Sequence, residues 1–273
     1  MLIKSPIDLK NLKTSGQLMG KVLEQLSAFC KIGMTTAALD AEAERLILAC
    51  GGSPAFKGYH TGAAPAPFPA SVCVSLNDEL VHGIPSRERI IKVGDVVSLD
   101  IGMKWAPKKI ISRKKNIDSG VFTDTAVTFI MGKPKSEAVK LLDVTRQSLE
   151  AGIKAAQPGS SVAAIGKAVE SYVKSQGNYG IVRDLVGHGV GHAVHEEPYI
   201  PNYYDPSLEN IKLVPGMVIA IEPMIALGDW RVVTKPDGWT IKMKDNSLCA
   251  HFEHTLIITN KGNIVVTRRP EEK

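Results

Sequence analysis

Residues 33–44 and 159–170 spell nearly the same local pattern twice, and that repetition constrains the fold more than any single motif. Gly33-Met34-Thr35-Thr36-Ala37-Ala38-Leu39-Asp40-Ala41-Glu42-Ala43-Glu44 aligns with Gly159-Ser160-Ser161-Val162-Ala163-Ala164-Ile165-Gly166-Lys167-Ala168-Val169-Glu170 at an offset of 126 (33 to 159), and Gly51 falls opposite Gly177. Each copy predicts a helix opened by a hydroxyl N-cap, Thr35 or Thr36 in the first, and closed by glycine, at Gly51-Gly52 in the first. Before it, Leu9, Leu12, Met19, Leu23 and Leu26 recur at helical spacing from about Ser5 to Ala28. Strands echo too: Gly94-Asp95-Val96-Val97-Ser98-Leu99-Asp100 resembles Gly216-Met217-Val218-Ile219-Ala220-Ile221-Glu222, each a strand ending on a carboxylate. Asp124-Thr125-Ala126-Val127-Thr128 resembles Glu253-His254-Thr255-Leu256-Ile257, each a strand beginning on one. Helices and strands repeated in the same order predict an α+β fold of two pseudo-symmetric halves, roughly 8–132 and 135–265, in one domain spanning 1–273.

If the halves pair about a pseudo-twofold axis, Asp100, Asp124, Glu222 and Glu253 converge. Four ionised carboxylates cannot share a site without a cation, because like charges a few ångströms apart repel by several kcal/mol even at an intermediate dielectric, about 4 kcal/mol at 4 Å. Divalent ions are the economical answer, and this many acids can bridge two of them about 3.5–4 Å apart, an arrangement suited to hydrolysis. Acids that merely cap strands or face solvent are the alternative.

The stretch Gly187-His188-Gly189-Val190-Gly191-His192-Ala193-Val194-His195-Glu196-Glu197-Pro198 supplies imidazoles. Its glycines disfavour a helix, and His195-Glu196-Glu197-Pro198 lacks the second histidine of a helical His-Glu-x-x-His site. An extended, close-approach segment that brings one or two imidazoles into a site is expected, against the alternative of a Gly-rich turn with surface histidines. The hydrophobic fraction of 44% supports a buried core, and the first twenty residues hold no apolar run for a signal peptide. Cytoplasmic localisation and no membrane partner are expected. Cys30, Cys50, Cys73 and Cys249 form no Cys-x-x-Cys pair, and the net charge of +5 permits an acidic partner without requiring one.

Seven segments together resemble the type I methionine aminopeptidases: Val81-His82-Gly83-Ile84-Pro85, Leu99-Asp100-Ile101-Gly102, Thr123-Asp124-Thr125-Ala126, Gly187-His188-Gly189-Val190-Gly191, His195-Glu196-Glu197-Pro198, Ile221-Glu222-Pro223-Met224 and Phe252-Glu253-His254-Thr255. The resemblance covers nearly the whole chain and implies the pita-bread fold, two related halves around a curved antiparallel sheet. It implies a metallo-aminopeptidase that removes the initiator methionine of nascent proteins when the second residue is small. Asp124 and Glu253 would bridge two divalent ions (Co, Mn, Fe, Ni or Zn), His188 and Glu222 would complete one site, and Asp100 would chelate in the other. A hydroxide activated by both ions would attack the scissile carbonyl, with Glu222 shuttling the proton. His82 and His195 match the non-ligand histidines that hydrogen-bond the scissile amide and its carbonyl, and Phe68, Cys73 and Trp239 match the methionine pocket. His192 and His251 match no such role and are expected to be structural or solvent-facing.

Val194 stands where the family often has an aromatic residue, and the loop 62–67 is rich in Pro and Ala. Asp100 and Asp124 lie 24 positions apart (100 to 124), about twice the family's usual hairpin. The extra length, an insertion at 104–119, carries Lys104, Lys108, Lys109, Arg113, Lys114 and Lys115. A solvated loop is one reading, and ribosome contact through phosphates along 104–115 is the other. Prolidases and aminopeptidase P resemble longer chains with an N-terminal domain, for which the segment before His82 leaves no room. Type II enzymes insert a helical region between the two glutamates, here 31 positions apart (222 to 253). The expected partners are peptides and nascent chains with an N-terminal methionine, the expected state a monomer. A non-catalytic pita-bread protein that binds RNA or protein would have lost metal ligands, and all five matching residues are present.

Overall fold

The N-caps expected from the repeat are formed by equivalent residues. Thr35 Oγ1 accepts from the Ala38 N–H at 3.2 Å, and Ser161 Oγ accepts from the Ala164 N–H at 3.2 Å. They open α2 (Thr36–Ala49) and α4 (Val162–Gln176), while α1 (Pro6–Phe29) and α3 (Ser136–Ala155) precede them in their respective halves. Thr36 is not the cap; its hydroxyl accepts from the Ser86 N–H at 2.8 Å. The computed structural model describes residues 2–3, 5–62, 64–106 and 120–272.

The repeat extends to the backbone hydrogen bonds that tie the turn before α2 and the turn before α4 each to a later loop. The Gly33 N–H donates to Ile91 O at 2.8 Å and the Gly159 N–H to Leu213 O at 2.7 Å; the return bonds run from the Ile91 N–H to Met34 O at 2.8 Å and from the Leu213 N–H to Ser160 O at 2.9 Å. Gly33 and Gly159 sit at φ 87° and 86°, Gly94 and Gly216 at 88° and 95°. A side chain is disfavoured at all four, because the left-handed region crowds a Cβ.

The strands are β1 (Gly52–Pro54), β2 (Val72–Leu76), β3 (Glu79–Val81), β4 (Val96–Trp105), β5 (Val121–Ile130), β6 (Gly180–Ile181), β7 (Gly187–Gly189), β8 (Glu196–Ile200), β9 (Val218–Ile221), β10 (Met224–Ala226), β11 (Val232–Thr234), β12 (Ile241–Met243), β13 (Cys249–His251), β14 (Glu253–Thr259) and β15 (Gly262–Val265). Among the described residues the main sheet is nine-stranded and antiparallel, in the order β1-β4-β5-β14-β9-β7-β8, with β2 beside β4 and β15 beside β14. Two smaller sheets, β13-β10-β6 and β11-β12-β3, flank it.

Period-two alternation divides the main sheet into two faces. Val97, Leu99, Ile101 and Met103 of β4, Val127 of β5, Leu256 and Ile258 of β14 and Ile219 and Ile221 of β9 join the main core with Met19, Leu23, Leu26, Leu39, Leu141 and Ile165 of the helices. Each such fully buried side chain contributes on the order of 1.5–3 kcal/mol by leaving water. The opposite face carries the polar residues. Directly opposed residues of a ladder share a face, so Cys73, Asp100, Ala126 and Glu253 form one row across β2, β4, β5 and β14.

One expectation is corrected. Asp100 does not end a strand, nor does Asp124 begin one: both lie inside β4 and β5, which pair from Val96↔Ile130 to Trp105↔Val121. The hairpin is long enough to continue the ladder beyond both acids. Residues 107–119, most of the basic insertion, lie outside the described residues.

Candidate metal centre and active site

Glycine places the first imidazole. His188 sits in β7 between Gly187 and Gly189, where a Cβ would come within 2.4 Å of Ala220 O and 2.4 Å of Glu197 O respectively. Only glycines let β8 and β9 approach so closely on either side, as the extended, close-approach reading requires. His188 Nδ1 lies 2.8 Å from Gly189 O. The Nδ1–H tautomer satisfies that carbonyl and leaves the Nε2 lone pair available to a metal.

Around Nε2 the sheet gathers acids. Asp124, His188 and Glu253 each offer a ligand atom within 4.8 Å of the others, all three buried, and His188 Nε2 lies 3.6 Å from Glu222 Oε1. Asp100, in the row with Glu253, is buried beside Asp124. Behind them the Thr255 hydroxyl accepts from the Asp124 N–H at 3.0 Å and donates to Asp124 O at 2.7 Å, replacing a ladder bond and holding that residue in place. The structure therefore brings together all five residues named as ligands.

The charges identify what is needed. Burial, then the neighbouring carboxylates, push Asp124 and Glu253 well above the usual carboxylate range. Burial raises Asp100 as well. Glu222 goes the other way: burial raises it, but His251, His188 and His195 together outweigh that and lower it. Oδ1 of Asp100, Oδ1 of Asp124 and Oε1 of Glu253 are buried with no hydrogen-bond partner. Buried acceptors without donors cost about 1–3 kcal/mol each, more when charged. Oxygen donors plus one imidazole fit a hard or borderline divalent ion, so the donor set fits the metal that the resemblance implies.

Above this floor lies a cavity of about 350 Å³. Phe68, Cys73 and Trp239 line it and pack with Phe56, Ala70 and Val194 in one apolar cluster. The Phe68 and Trp239 rings meet edge to face at 5.3 Å, and Trp239 Nε1–H donates to Ala66 O at 2.8 Å. The Pro- and Ala-rich loop thus supports the wall, and Val194 is part of it. His82 and His195 also face the cavity. Burial pushes His82 down to about 4. His195 faces the open cavity, so its surface is accessible, yet the walls crowd out bulk solvent; this and the nearby His188 push it down to about 4. Both are neutral at pH 7.

Three features escaped sequence reasoning. Phe56 and Tyr59 line the cavity from a segment without periodicity, and Tyr59 Oη lies 2.7 Å from His195 Nδ1, leaving Nε2 as the nitrogen to face a substrate. His251 is the third: of the two readings expected for it, structural or solvent-facing, it takes the buried one, with Nε2 3.3 Å from Glu222 Oε2, a neighbour the sequence did not assign to it. Its position two residues before Glu253 on extended chain was the available signal. His192 lies at the surface near Asp8, as expected.

Residues 10–260 match the model of metallopeptidase family M24. A methionine aminopeptidase of Clostridium acetobutylicum is 39% identical over 267 residues, 98% of each chain. Methionine aminopeptidase 1 of Bacillus subtilis is 40% identical over 268 residues, 98% of this chain and 99% of that one. The crystal structure of methionine aminopeptidase from Thermotoga maritima superposes with a TM-score of 0.88 at 37% identity, covering 98% of this chain and all of that one. The Xaa-Pro dipeptidase of Bacillus anthracis, at 22% identity and a TM-score of 0.72, shares the fold over 62% of its own length. With this identity sustained from end to end, the chain belongs to the methionine aminopeptidases of metallopeptidase family M24.

Proposed function

We propose that the chain removes N-terminal methionine from peptides and nascent proteins whose second residue is small, using two divalent ions held by Asp100, Asp124, His188, Glu222 and Glu253. The observation that carries this reading is the juxtaposition of buried acceptors lacking donors with an apolar cavity directly above them. Bound there, divalent ions supply a nucleophile at neutral pH and polarise the scissile carbonyl. Phe68, Cys73 and Trp239 take the methionine side chain, whose polarisable thioether suits soft and aromatic walls. Glu222 accepts the proton of the attacking water and passes it to the leaving amine. His82 and His195, neutral and close to the floor, donate to the scissile amide and to the oxygen that gains charge. His195 does so through Nε2, because Tyr59 occupies Nδ1.

The chain acts as a single catalytic domain, 1–273, with half-repeats at roughly 8–132 and 135–265, and as a cytoplasmic monomer. No described helix is long and apolar enough to cross a membrane. The basic insertion 104–119 adds ribosome contact along 104–115, where Lys104, Lys108, Lys109, Arg113, Lys114 and Lys115 would meet phosphates. All of these except Lys104 lie outside the described residues.

The test is methionine release from Met-Ala-Ser and Met-Leu-Ser by protein reconstituted with Mn or Co. Fast release from the first and at least about tenfold slower release from the second is expected, a difference of about 1.4 kcal/mol in transition-state binding. Equal rates would remove the small-residue rule, and no release from either would remove the activity.

A further inference from the structure

His251 has a place that the reaction as described does not use. Its backbone is fixed on both sides by one hydroxyl: the His251 N–H donates to Thr128 Oγ1 at 2.9 Å, and Thr128 Oγ1 donates to His251 O at 2.7 Å. Thr128 in turn lies 2.8 Å from Ser98 Oγ, tying the imidazole's base to β4 and β5, the strands that carry Asp100 and Asp124. The ring is buried, neither of its nitrogens has an aligned hydrogen-bond partner, and its Nε2 approaches Glu222 Oε2 at 3.3 Å, while the other oxygen of the same carboxylate, Oε1, lies 3.6 Å from His188 Nε2. Glu222 is thus flanked by two imidazoles, one per oxygen. Its backbone carbonyl is also held, accepting from Asn202 Nδ2 at 3.0 Å.

From this geometry we propose that His251 is a positioning residue: its Nε2–H holds Oε2 of Glu222, so that Glu222 presents Oε1 to the ion it shares with His188. The inference rests on the metal-dependent reading above. Glu222 lies between the end of β9 and the start of β10 at Met224, so its own residue belongs to neither ladder. Without a second contact the carboxylate can rotate, and an acid asked both to bind an ion and to move a proton gains from having one oxygen assigned to each neighbour. Groups that orient a metal ligand in this way typically change metal affinity by about 10–100-fold when removed.

The test uses the full-length protein and Mn(II) as the probe, with binding followed by electron paramagnetic resonance and turnover by methionine release from Met-Ala-Ser. His251→Gln keeps an N–H donor of similar reach, whereas His251→Leu keeps volume and loses the donor. The leucine variant is expected to weaken one of the two ions about 10–100-fold and to lower kcat with little change in KM, while the glutamine variant stays within about threefold of wild type in both. Leucine-variant binding and kcat equal to wild type would overturn the proposal, as would a glutamine variant as weak as the leucine one. If His251→Leu does not fold, His251→Asn, whose shorter amide falls short of Glu222, carries the same expectation and the same refutation. Wild-type protein that neither binds Mn(II) nor releases methionine would instead overturn the metal-dependent reading on which the proposal stands.

Discussion

In the first half of the chain both acids lie inside ten-residue strands paired along their whole length, whereas in the second half Glu222 falls just past β9 and Glu253 opens β14. The N-caps of α2 and α4 and the glycine turns before them match in sequence and in hydrogen bonding; the placement of the acids does not. An acid inside a ladder is immobilised by bonds on either side of it, so Asp100 and Asp124 make a fixed floor. Acids at strand ends leave the chain between them free to do something else. Residues 223–252 use that freedom to build the Trp239 wall and to bring His251 up to Glu222. The duplicated framework sets the positions, and the second half adds to it the Trp239 part of the cavity wall and the approach of His251 to Glu222.

The comparison is broken most severely at the residue that joins the halves. Glu253 pairs with Ala126 across the β5–β14 junction, and Glu253→Ala is expected to lose bound metal and about 10³-fold or more in kcat/KM, since several kcal/mol of charge stabilisation goes with it. Metal analysis alongside kinetics checks this; full metal content with intact turnover would refute it. His82→Ala should cost about 10²–10⁴-fold in rate while both ions remain bound. Loss of metal on that substitution would make His82 part of the floor. Trp239→Ala should raise KM for Met-Ala-Ser by an amount corresponding to about 1–3 kcal/mol and leave metal binding unchanged.

Titration reaches both halves alike, since His82 and His195 are each lowered to about 4. His82 is lowered to about 4 by burial, whereas in the unfolded chain it protonates near 6.5. Unfolded chains therefore take up the proton on this residue first, and the contribution of His82 to stability is lost as pH falls from about 6.5 towards 4. His82→Gln, which cannot titrate, should show a smaller fall in Tm over that range, by about 2–4 °C per kcal/mol recovered. An identical Tm profile would contradict the burial argument. The smallest effect concerns the shared framework. Thr35→Ala and Ser161→Ala should each cost about 1 kcal/mol of stability, to equal extents, additively and without change in kcat. Clearly unequal losses would mean that the caps are equivalent in geometry only.

Much of this was legible because repetition in sequence reports repetition in backbone. Hydroxyl caps, glycines at positive φ and the parity of apolar residues are local signals, and α1, α2 and α4 formed within a residue or two of expectation. The acids were visible as mirrored residues, although their place within β4 and β5 depended on how far the hairpin continues, which no local pattern encodes. Phe68, Cys73 and Trp239 were reached only through family resemblance, since a pocket wall assembled from three loops and strands has no period. Tyr59 was invisible for the same reason. His251 was discounted because it matched no known role, although period two already placed it on the side of Glu253.

The central claim, that the two halves converge on a pair of divalent ions, is tested most directly by anomalous X-ray scattering from crystals loaded with Mn(II). Two anomalous peaks about 3.5–4 Å apart, both reached by carboxylates of Asp124 and Glu253, with Asp100 on one and His188 and Glu222 on the other, are the predicted result. No peak among these side chains at saturating Mn(II), or a single ion that leaves Asp100 without a metal contact, would contradict it.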